Sequence, residues 1–158
     1  MGFFTADFCD TCKEGIQVLG PGFSNFGGKK KMKGSLVTVK LNENNQELIR
    51  VLDEAGQGRV VVVDVQGVYV AVVGENLMKK ALKNGWSGFV INGYVRDVHA
   101  TKEIGVGLWA LGTCPRKCPD LLPGFVDHTV EFGGVKFEPG AYVYADMDGV
   151  IVSKEALI

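Results

Sequence analysis

An arginine and an aspartate stand side by side just beyond a predicted buried strand. Arg96 and Asp97 follow the apolar segment 88–91 after a short link. Successive side chains of an extended chain point to opposite faces, so both cannot enter the core. The pair forms either a surface ion pair or Asp turn, or a site. In a site, Arg96 would hold a carboxylate or enolate oxygen, and Asp97 a divalent metal through few protein ligands and several waters. His99 follows two residues later, as a supporting group at that site or, in the favoured interpretation, a solvent-facing loop histidine.

A second candidate segment, residues 67–74, leads from an apolar strand into a helix. The first turn of that helix, Gly74, Glu75, Asn76 and Leu77, would expose backbone N–H groups, which bind carboxylates or phosphates without a charged side chain. Every helix has such an end, so this segment alone is weak evidence for a site. The Glu75 side chain would orient a water at the site or simply complement the positive end of the helix.

A strand–helix–strand unit would position both segments. Val60–Asp64 is continuously apolar up to its aspartate, which is typical of a strand buried on both faces. A helix is predicted over residues 75–84 and a second buried strand over 88–91, joined by a right-handed parallel crossover. Ligands collect at the carboxyl ends of such strands. The helix is predicted to turn three apolar residues inward: Leu77, Ala81 and Leu82.

The rest of the chain predicts a mixed α/β domain. A helix is expected over residues 5–17, strands over 34–40 and 106–111, and a helix around Leu48 to Ala55. The C-terminal third alternates short apolar segments with Gly-Gly, Pro-Gly and Asp-Gly turns, which predicts a β-meander. The meander strands are expected at 127–132, 135–137, 141–145 and 150–152.

Composition narrows the class of protein. The 158 residues are 46% hydrophobic, which excludes a wholly disordered chain and is enough for one domain over 1–158. The 17 basic and 18 acidic residues give a net charge of -1, without the field of a dedicated nucleic-acid binder. No apolar run is long enough to span a membrane, and no secretory pattern opens the chain. We therefore expect a soluble cytoplasmic protein.

The lysine run and the two cysteine pairs each allow a purely structural and a functional interpretation. The lysine run at 29–33 would contact RNA or an acidic partner, but without interleaved aromatics a solvated edge is favoured. The pairs Cys9/Cys12 and Cys114/Cys118 look like halves of a zinc site. The first pair falls on one predicted helix face and the second lies far along the chain, so packing or loop thiols are favoured.

Taken together, these motifs resemble one protein family over nearly the whole chain. Glu75 is separated by twenty residues from Arg96-Asp97, which resembles the RraA-like signature of an acidic or glycine residue, twenty residues and Arg-Asp. Residues 23–28, Phe-Ser-Asn-Phe-Gly-Gly, resemble an N-terminal motif of its regulator branch. Residues 132–140 and 144–149 resemble its closing hairpins. The family includes class II pyruvate aldolases and a bacterial regulator of ribonuclease E.

The resemblance implies a fold, an assembly and an activity. The fold would be a three-layer α/β/β/α arrangement with a mixed sheet and C-terminal hairpins, assembled as a homotrimer or hexamer with sites near subunit interfaces. The backbone of residues 74–77 would cradle the carboxylate of a small 2-oxo acid, Arg96 would neutralise the enolate oxygen, and Asp97 would ligate Mg²⁺ or Mn²⁺. The implied reactions are aldol cleavage of 4-hydroxy-4-methyl-2-oxoglutarate-type acids and decarboxylation of oxaloacetate, both of which leave a pyruvate enolate.

This sequence departs from the family pattern near the predicted site. The family often has a glycine-rich stretch and an arginine after the aspartate of the buried strand, whereas Asp64 is followed here by Val-Gln-Gly-Val-Tyr-Val. The acidic residue often found three positions after the Arg-Asp pair is Ala100 here. Aldol cleavage needs a base for the substrate hydroxyl, and β-decarboxylation does not. Decarboxylation is therefore predicted to persist even if aldol cleavage is weak.

The alternative is a non-catalytic regulator that binds ribonuclease E-type enzymes or RNA-degradation partners through protein surfaces. The segment 23–28 favours this alternative. The regulators themselves often lack the aspartate of the Arg-Asp pair, and this chain keeps it as Asp97. Neither membrane binding nor direct nucleic-acid binding is expected. A methyltransferase is not supported, since no glycine-rich cofactor loop follows the first strand in the required order.

Overall fold

The computed structural model describes residues 2–12, 14–41, 45–118 and 125–158. Within these ranges the chain forms four short helices and twelve strands. The helices are α1 (Thr5–Thr11), α2 (Gln46–Leu52), α3 (Glu75–Lys83) and α4 (Val98–Thr101). The strands are β1 (Ile16–Val18), β2 (Ser24–Asn25), β3 (Met32–Lys40), β4 (Val60–Asp64), β5 (Ala71–Val73), β6 (Gly88–Val95), β7 (Gly107–Thr113), β8 (Phe125–Val126), β9 (Val130–Phe132), β10 (Val135–Phe137), β11 (Tyr142–Asp146) and β12 (Gly149–Ser153).

One mixed sheet forms the centre of the fold. Its strand order is β1-β12-β11-β3-β4-β6-β7-β2, with β5 added beside β6 and β8 beside β3. The four middle strands, β3, β4, β6 and β7, are parallel, and the outer pairings are antiparallel. All five residues of β4 are buried, as expected for an apolar strand covered on both faces. The predicted α/β class with a mixed sheet and C-terminal hairpins is confirmed.

Two apolar cores lie on the two faces of the parallel strands. Alternate residues of a strand point to opposite faces, so Val61 and Val63 enter one core while Val60 and Val62 enter the other. The first core is completed by α2 and α3. The second is completed by the β9–β10 hairpin and by β11 and β12. The helices and the hairpins therefore cover opposite faces of the sheet.

Several predicted boundaries are wrong, and each has a local cause. The first helix ends at Thr11 rather than at residue 17, because Gly15 takes a φ of 82° and the chain then enters β1. The strand predicted at 88–91 continues to Val95, since it pairs with β7 and β5 beyond its apolar half. The strand predicted over 127–132 begins only at Val130, because Asp127 takes a left-handed φ of 59°.

Two further differences concern pairing. The segment predicted as a loop before Gly74 contains β5, which pairs with the far end of β6. The C-terminal strands form two separate hairpins rather than a meander: β9–β10 stands alone, and β11–β12 joins the main sheet. None of the helices in the described ranges is long and apolar enough to cross a bilayer.

The lysine run and the cysteines take ordinary positions. Lys29, Lys30 and Lys33 are exposed, whereas the Lys31 ammonium lies 3.6 Å from the centre of the Phe4 ring. None of the four cysteines, all within the described ranges, forms a disulfide: Cys9 is exposed, Cys12 is half-buried, and Cys114 and Cys118 are buried.

Candidate active site

Arg96 and Asp97 lie where β6 ends, beside the start of α3. The Arg96 backbone N–H donates to the Val73 carbonyl at 3.0 Å, so the chain segment before α3 is held against the segment after β6. Asp97 takes a left-handed conformation, with φ 61° and ψ 36°. This conformation is uncommon outside glycine and is most often tolerated by Asn and Asp. The turn at Asp97 changes the direction of the chain between the end of β6 and the start of α4.

The Asp97 carboxylate caps α3. Its Oδ2 accepts the Glu75 backbone N–H at 3.1 Å, and the N-cap residue Gly74 contributes no side-chain hydrogen bond. A Cβ at Gly74 would lie 2.6 Å from Asp97 Oδ2, closer than real side chains approach, and 3.3 Å from Arg96 Cγ, which is a tight contact. A side chain at this position would therefore displace the Asp97 carboxylate. The two sequence segments predicted to carry chemistry are thus in direct contact.

A cavity of about 210 Å³ opens at this junction. Its walls include the Asn76 and Leu77 end of α3 together with Arg96 and Asp97. Within the described chain, the Asn76 and Leu77 backbone N–H groups have no acceptor, as expected in the first turn of a helix. These N–H groups and the guanidinium of Arg96 create a positive environment suited to a small carboxylate.

Arg96 is available to a ligand. Its guanidinium Nη1 donates to the Pro115 carbonyl at 3.4 Å, and it forms no ion pair with any described residue. The surface ion pair between Arg96 and Asp97 that the sequence allowed is therefore not formed in the described part of the chain. His99 is exposed and, with both of these residues, lines an adjoining cleft of about 340 Å³.

The Glu75 side chain points away from the cavity, although its backbone N–H binds Asp97. Its carboxylate pairs with the Lys79 ammonium at 3.4 Å, on the outer surface of α3, and it does not line the cavity. This placement favours the interpretation in which Glu75 complements the positive end of the helix. Its backbone N–H already binds Asp97, which leaves the neighbouring N–H groups for a ligand.

Sequence reasoning missed two polar residues of the cavity wall. Asn45 precedes α2, is 7% exposed, and donates from its amide to the Val72 carbonyl at 3.3 Å. Lys117 reaches the cavity because its segment pairs with β5 at Ala71. Neither residue lies in a recognisable motif, and a strand at 71–73 would have been the signal for Lys117.

The donor set fits a hard divalent cation held by a single carboxylate. Within the described ranges, no three His, Cys, Asp or Glu side chains converge as a metal cage. Asp97 is the one carboxylate among the described residues of the cavity wall, and only its Oδ2 has a protein donor. Mg²⁺ commonly binds through one or two carboxylates, with waters and substrate oxygens completing its shell.

The fold that carries this site is that of a known protein family. The chain matches the RraA-like family, described as Aldolase/RraA, over residues 5–152. It belongs to this family.

Two curated relatives span nearly the same length. A protein of Ectopseudomonas mendocina (strain ymp) is 42% identical over 158 residues, with 99% of this chain and 98% of that protein aligned. One of Hahella chejuensis is 43% identical, with 99% and 96% aligned. Both are named "Putative 4-hydroxy-4-methyl-2-oxoglutarate aldolase".

Two solved structures share the whole fold. The first, from Geobacillus kaustophilus HTA426, is described as an S-adenosylmethionine:2-dimethylmenaquinone methyltransferase. It superimposes with a TM-score of 0.95 at 40% identity, covering 98% of this chain and 97% of that one. The second is the RNA-processing inhibitor RraA from Thermus thermophilus, with a TM-score of 0.94 at 34% identity, covering 100% and 96%.

Proposed function

We propose that this protein is a divalent-metal-dependent lyase that cleaves 2-oxo acids to form a pyruvate enolate. The observation that carries the proposal is that the first turn of α3, with its free N–H groups, lines one small cavity together with Arg96 and Asp97. The aldolase name of the two curated relatives supports the same reaction class. The substrates would be 4-hydroxy-4-methyl-2-oxoglutarate-type acids, oxaloacetate or both.

The chain's own residues would bind and polarise the substrate. The Asn76 and Leu77 N–H groups, at the positive end of α3, would hold the substrate carboxylate. Arg96 would place a fixed positive charge beside the 2-keto oxygen, where negative charge develops as the bond between C3 and C4 breaks. A preorganised donor of this kind typically contributes about 3–4 kcal/mol in the transition state.

Asp97 would hold Mg²⁺ or Mn²⁺. When bound, such an ion supplies Lewis-acid stabilisation of the developing enolate charge. Asp97 also caps α3 through Oδ2, so the same side chain sets the position of the N–H groups that would bind the carboxylate.

The cavity favours decarboxylation over aldol cleavage. Aldol cleavage requires a base that accepts the proton of the 4-hydroxyl, whereas decarboxylation releases CO₂ without one. Among the described residues that line the cavity, Asp97 is the single carboxylate, and the proposal assigns it to the metal. We therefore expect faster turnover of oxaloacetate than of the aldol substrate, and the reverse order would contradict this assignment.

The decisive experiment measures pyruvate release from oxaloacetate with Mg²⁺ and with excess chelator, corrected for the rate of free metal. Arg96→Ala should lower kcat/KM by about 100-fold, and Asp97→Asn should abolish the metal-dependent rate. Asparagine keeps an oxygen that can still cap α3, so thermal unfolding should change little. Arg116→Ala and Asp10→Asn change exposed residues outside the cavity and serve as matched controls. Wild-type turnover no faster than free metal, or full activity of Asp97→Asn, would refute the proposal.

A second function, regulation of a ribonuclease, is favoured by the match to the Thermus RNA-processing inhibitor. It would act through protein surfaces and would not need Asp97. A pull-down with ribonuclease E fragments, comparing the wild type with Asp97→Asn, separates the two: binding that survives in both proteins, without metal-dependent turnover, would establish the regulator.

A further inference from the structure

A second cavity, of about 370 Å³, lies on the other side of the sheet from Arg96. Its walls come from β2, from the turn between β11 and β12, and from Trp109 of β7. Trp109 belongs to the core that faces the hairpins, whereas Val73 and Leu77 of the candidate active site pack in or against the core that faces the helices. The segment 23–28, which has no part in the proposed lyase chemistry, forms one wall.

The backbone around this cavity is rigidly held. The Asn25 amide oxygen accepts the N–H groups of Gly27 and Leu108, at 2.9 and 3.1 Å. A Cβ at Gly27 would lie 2.1 Å from the Val106 carbonyl oxygen, so the turn packs directly against β7. The wall is thus preorganised, which lowers the entropy cost of binding.

One buried donor in the cavity wall has no acceptor among the residues that the structure describes. Trp109 is 3% exposed, and its indole N–H makes no hydrogen bond within the described chain. Its Cζ3 edge packs over Gly107, so Nε1 lies on the opposite long edge of the ring. The other tryptophan, Trp86, donates its N–H to the Glu54 carbonyl at 3.2 Å. Since buried N–H groups are nearly always paired, the Trp109 N–H is a candidate donor for a ligand or a water in this cavity.

Two opposite charges line the same cavity, and neither has an ion-pair partner in the described part of the chain. Lys30 and Asp148 are both exposed, and neither forms an ion pair with a described residue. The other carboxylate, Asp146, is buried and already accepts hydrogen bonds from Thr5 and from the Asp148 backbone. The Lys30 ammonium and the Asp148 carboxylate would therefore be complemented by a small molecule that carries one negative and one positive group.

The remaining wall is apolar. Phe23 is half-buried and stacks on Phe132 with ring centres 5.7 Å apart, and Met147 is 85% exposed at the rim. We propose that this cavity binds a free α-amino acid with an apolar side chain. Its carboxylate would accept from the Trp109 N–H and from Lys30, its ammonium would face Asp148, and its side chain would contact Phe23 and Met147.

The test observes the two indole N–H signals of ¹⁵N-labelled protein during titration with L-leucine or L-phenylalanine. We expect the Trp109 signal, assigned as the one lost in Trp109→Phe, to shift saturably while the Trp86 signal stays in place. Lys30→Gln should weaken binding at least tenfold, because it removes the cation that pairs with the carboxylate. Lys29→Gln, a neighbouring exposed lysine outside the cavity wall, should leave it unchanged.

Two leucine analogues test whether the carboxylate and the ammonium of the amino acid both contribute to binding. Leucine amide lacks the carboxylate and 4-methylpentanoate lacks the ammonium, so each should bind at least tenfold more weakly than leucine. A Trp109 signal that neither amino acid moves at about 10 mM, well above a Kd near 1 mM, would overturn the proposal and leave water as the partner of that N–H. Equal shifts from leucine and its amide would also overturn it. Pyruvate formation at Arg96 should be the same in Lys30→Gln as in the wild type.

Discussion

Asp97 connects the two sequence segments of the candidate active site. Its left-handed backbone turns the chain after β6, and its carboxylate reaches the first N–H group of α3. A residue in an unfavourable conformation persists only where its surroundings require it, and such residues cluster at functional sites. The conformation of Asp97 is therefore consistent with a role beyond stability.

Gly74→Ala should lower activity more than stability. The added Cβ would lie 2.6 Å from Asp97 Oδ2 and would push the carboxylate and Arg96 away from the cavity. We expect a loss of about 100-fold in kcat/KM for oxaloacetate, since displacement by about 1 Å can have an effect of this size. Steady-state kinetics and thermal unfolding measure the two effects.

Gly105→Ala is the matched control for this substitution. Gly105 is exposed, and a Cβ there would meet nothing closer than Leu82 Cδ1 at 4.0 Å. Its activity should equal that of the wild type. Full activity in Gly74→Ala would show that the contact between Gly74 and Asp97 does not position the site.

At the scale of elements, none of the four described helices is capped by the side chain of its own N-cap residue, and two of them, α1 and α3, are capped by a distant aspartate instead. The backbone N–H at the start of α1 is bound by Asp146, and the first N–H of α3 by Asp97. Capping motifs in a sequence place the capping side chain within a few residues of the helix start. Neither of these distant caps could therefore be predicted from the sequence. Each cap instead attaches a short helix to a distant strand end.

Met78→Ala and Leu82→Ala should differ sharply in stability. The prediction that Leu82 faces inward is wrong: it lies at the edge of the apolar face of α3 and is 52% exposed, whereas Met78 is fully buried. Truncation of buried Met78 should cost about 2–5 kcal/mol of unfolding free energy. Truncation of Leu82 should cost about 0.5 kcal/mol or less.

Urea denaturation of both variants measures this difference. Equal losses would mean that Leu82 is covered in the protein as it exists in solution. An assembly that buries α3 would produce that result.

At the scale of the whole molecule, Asp146 joins the N-terminal helix to the C-terminal hairpin. Its two carboxylate oxygens accept the Thr5 backbone N–H and hydroxyl, each at 2.7 Å. Burial disfavours the charged form, but the hydrogen bonds from Thr5, Asp148 and Gly149 outweigh it, and the pKa of Asp146 lies below its ordinary value.

Stability should therefore fall in acid through this group. A carboxyl group with a lowered folded-state pKa contributes stability that is complete above about pH 4 and is lost as the pH falls through that folded-state pKa. Asp146→Asn should lose about 1–3 kcal/mol at pH 7 and show a shallower decline of unfolding free energy below pH 4. Urea titrations at several pH values measure both effects, with the exposed Asp148→Asn as control. An unchanged acid profile would exclude Asp146 as a contributor.

We also predict assembly into a trimer or hexamer. Family resemblance implies it, and Val68 and Tyr69 expose apolar side chains in the stretch where relatives often have an arginine, at 41% and 61% exposure. Light scattering should give three or six times the monomer mass, and Tyr69→Lys should reduce it. Val18→Lys, at an equally exposed position on β1, is the control. A monomer at all concentrations would contradict the prediction.

The sequence alone was informative wherever a pattern is local. A continuous run of apolar residues predicts a buried strand such as Val60–Asp64. The spacing between Glu75 and the Arg96-Asp97 pair is likewise visible in the sequence. These signals come from side-chain burial and backbone geometry within one element, which is why α3 and β4 were predicted nearly to the residue.

The tertiary structure supplied what depends on residues far apart in the chain. Pairing with β6 makes a strand of 71–73 and carries Lys117 to the cavity, Asp97 caps α3 across 22 positions, and Asp146 holds Thr5 across 141. It also leaves the Trp109 N–H without an acceptor among the described residues, in a cavity that Lys30 lines too. Such contacts form only after the sheet brings distant segments together, so no local pattern encodes them.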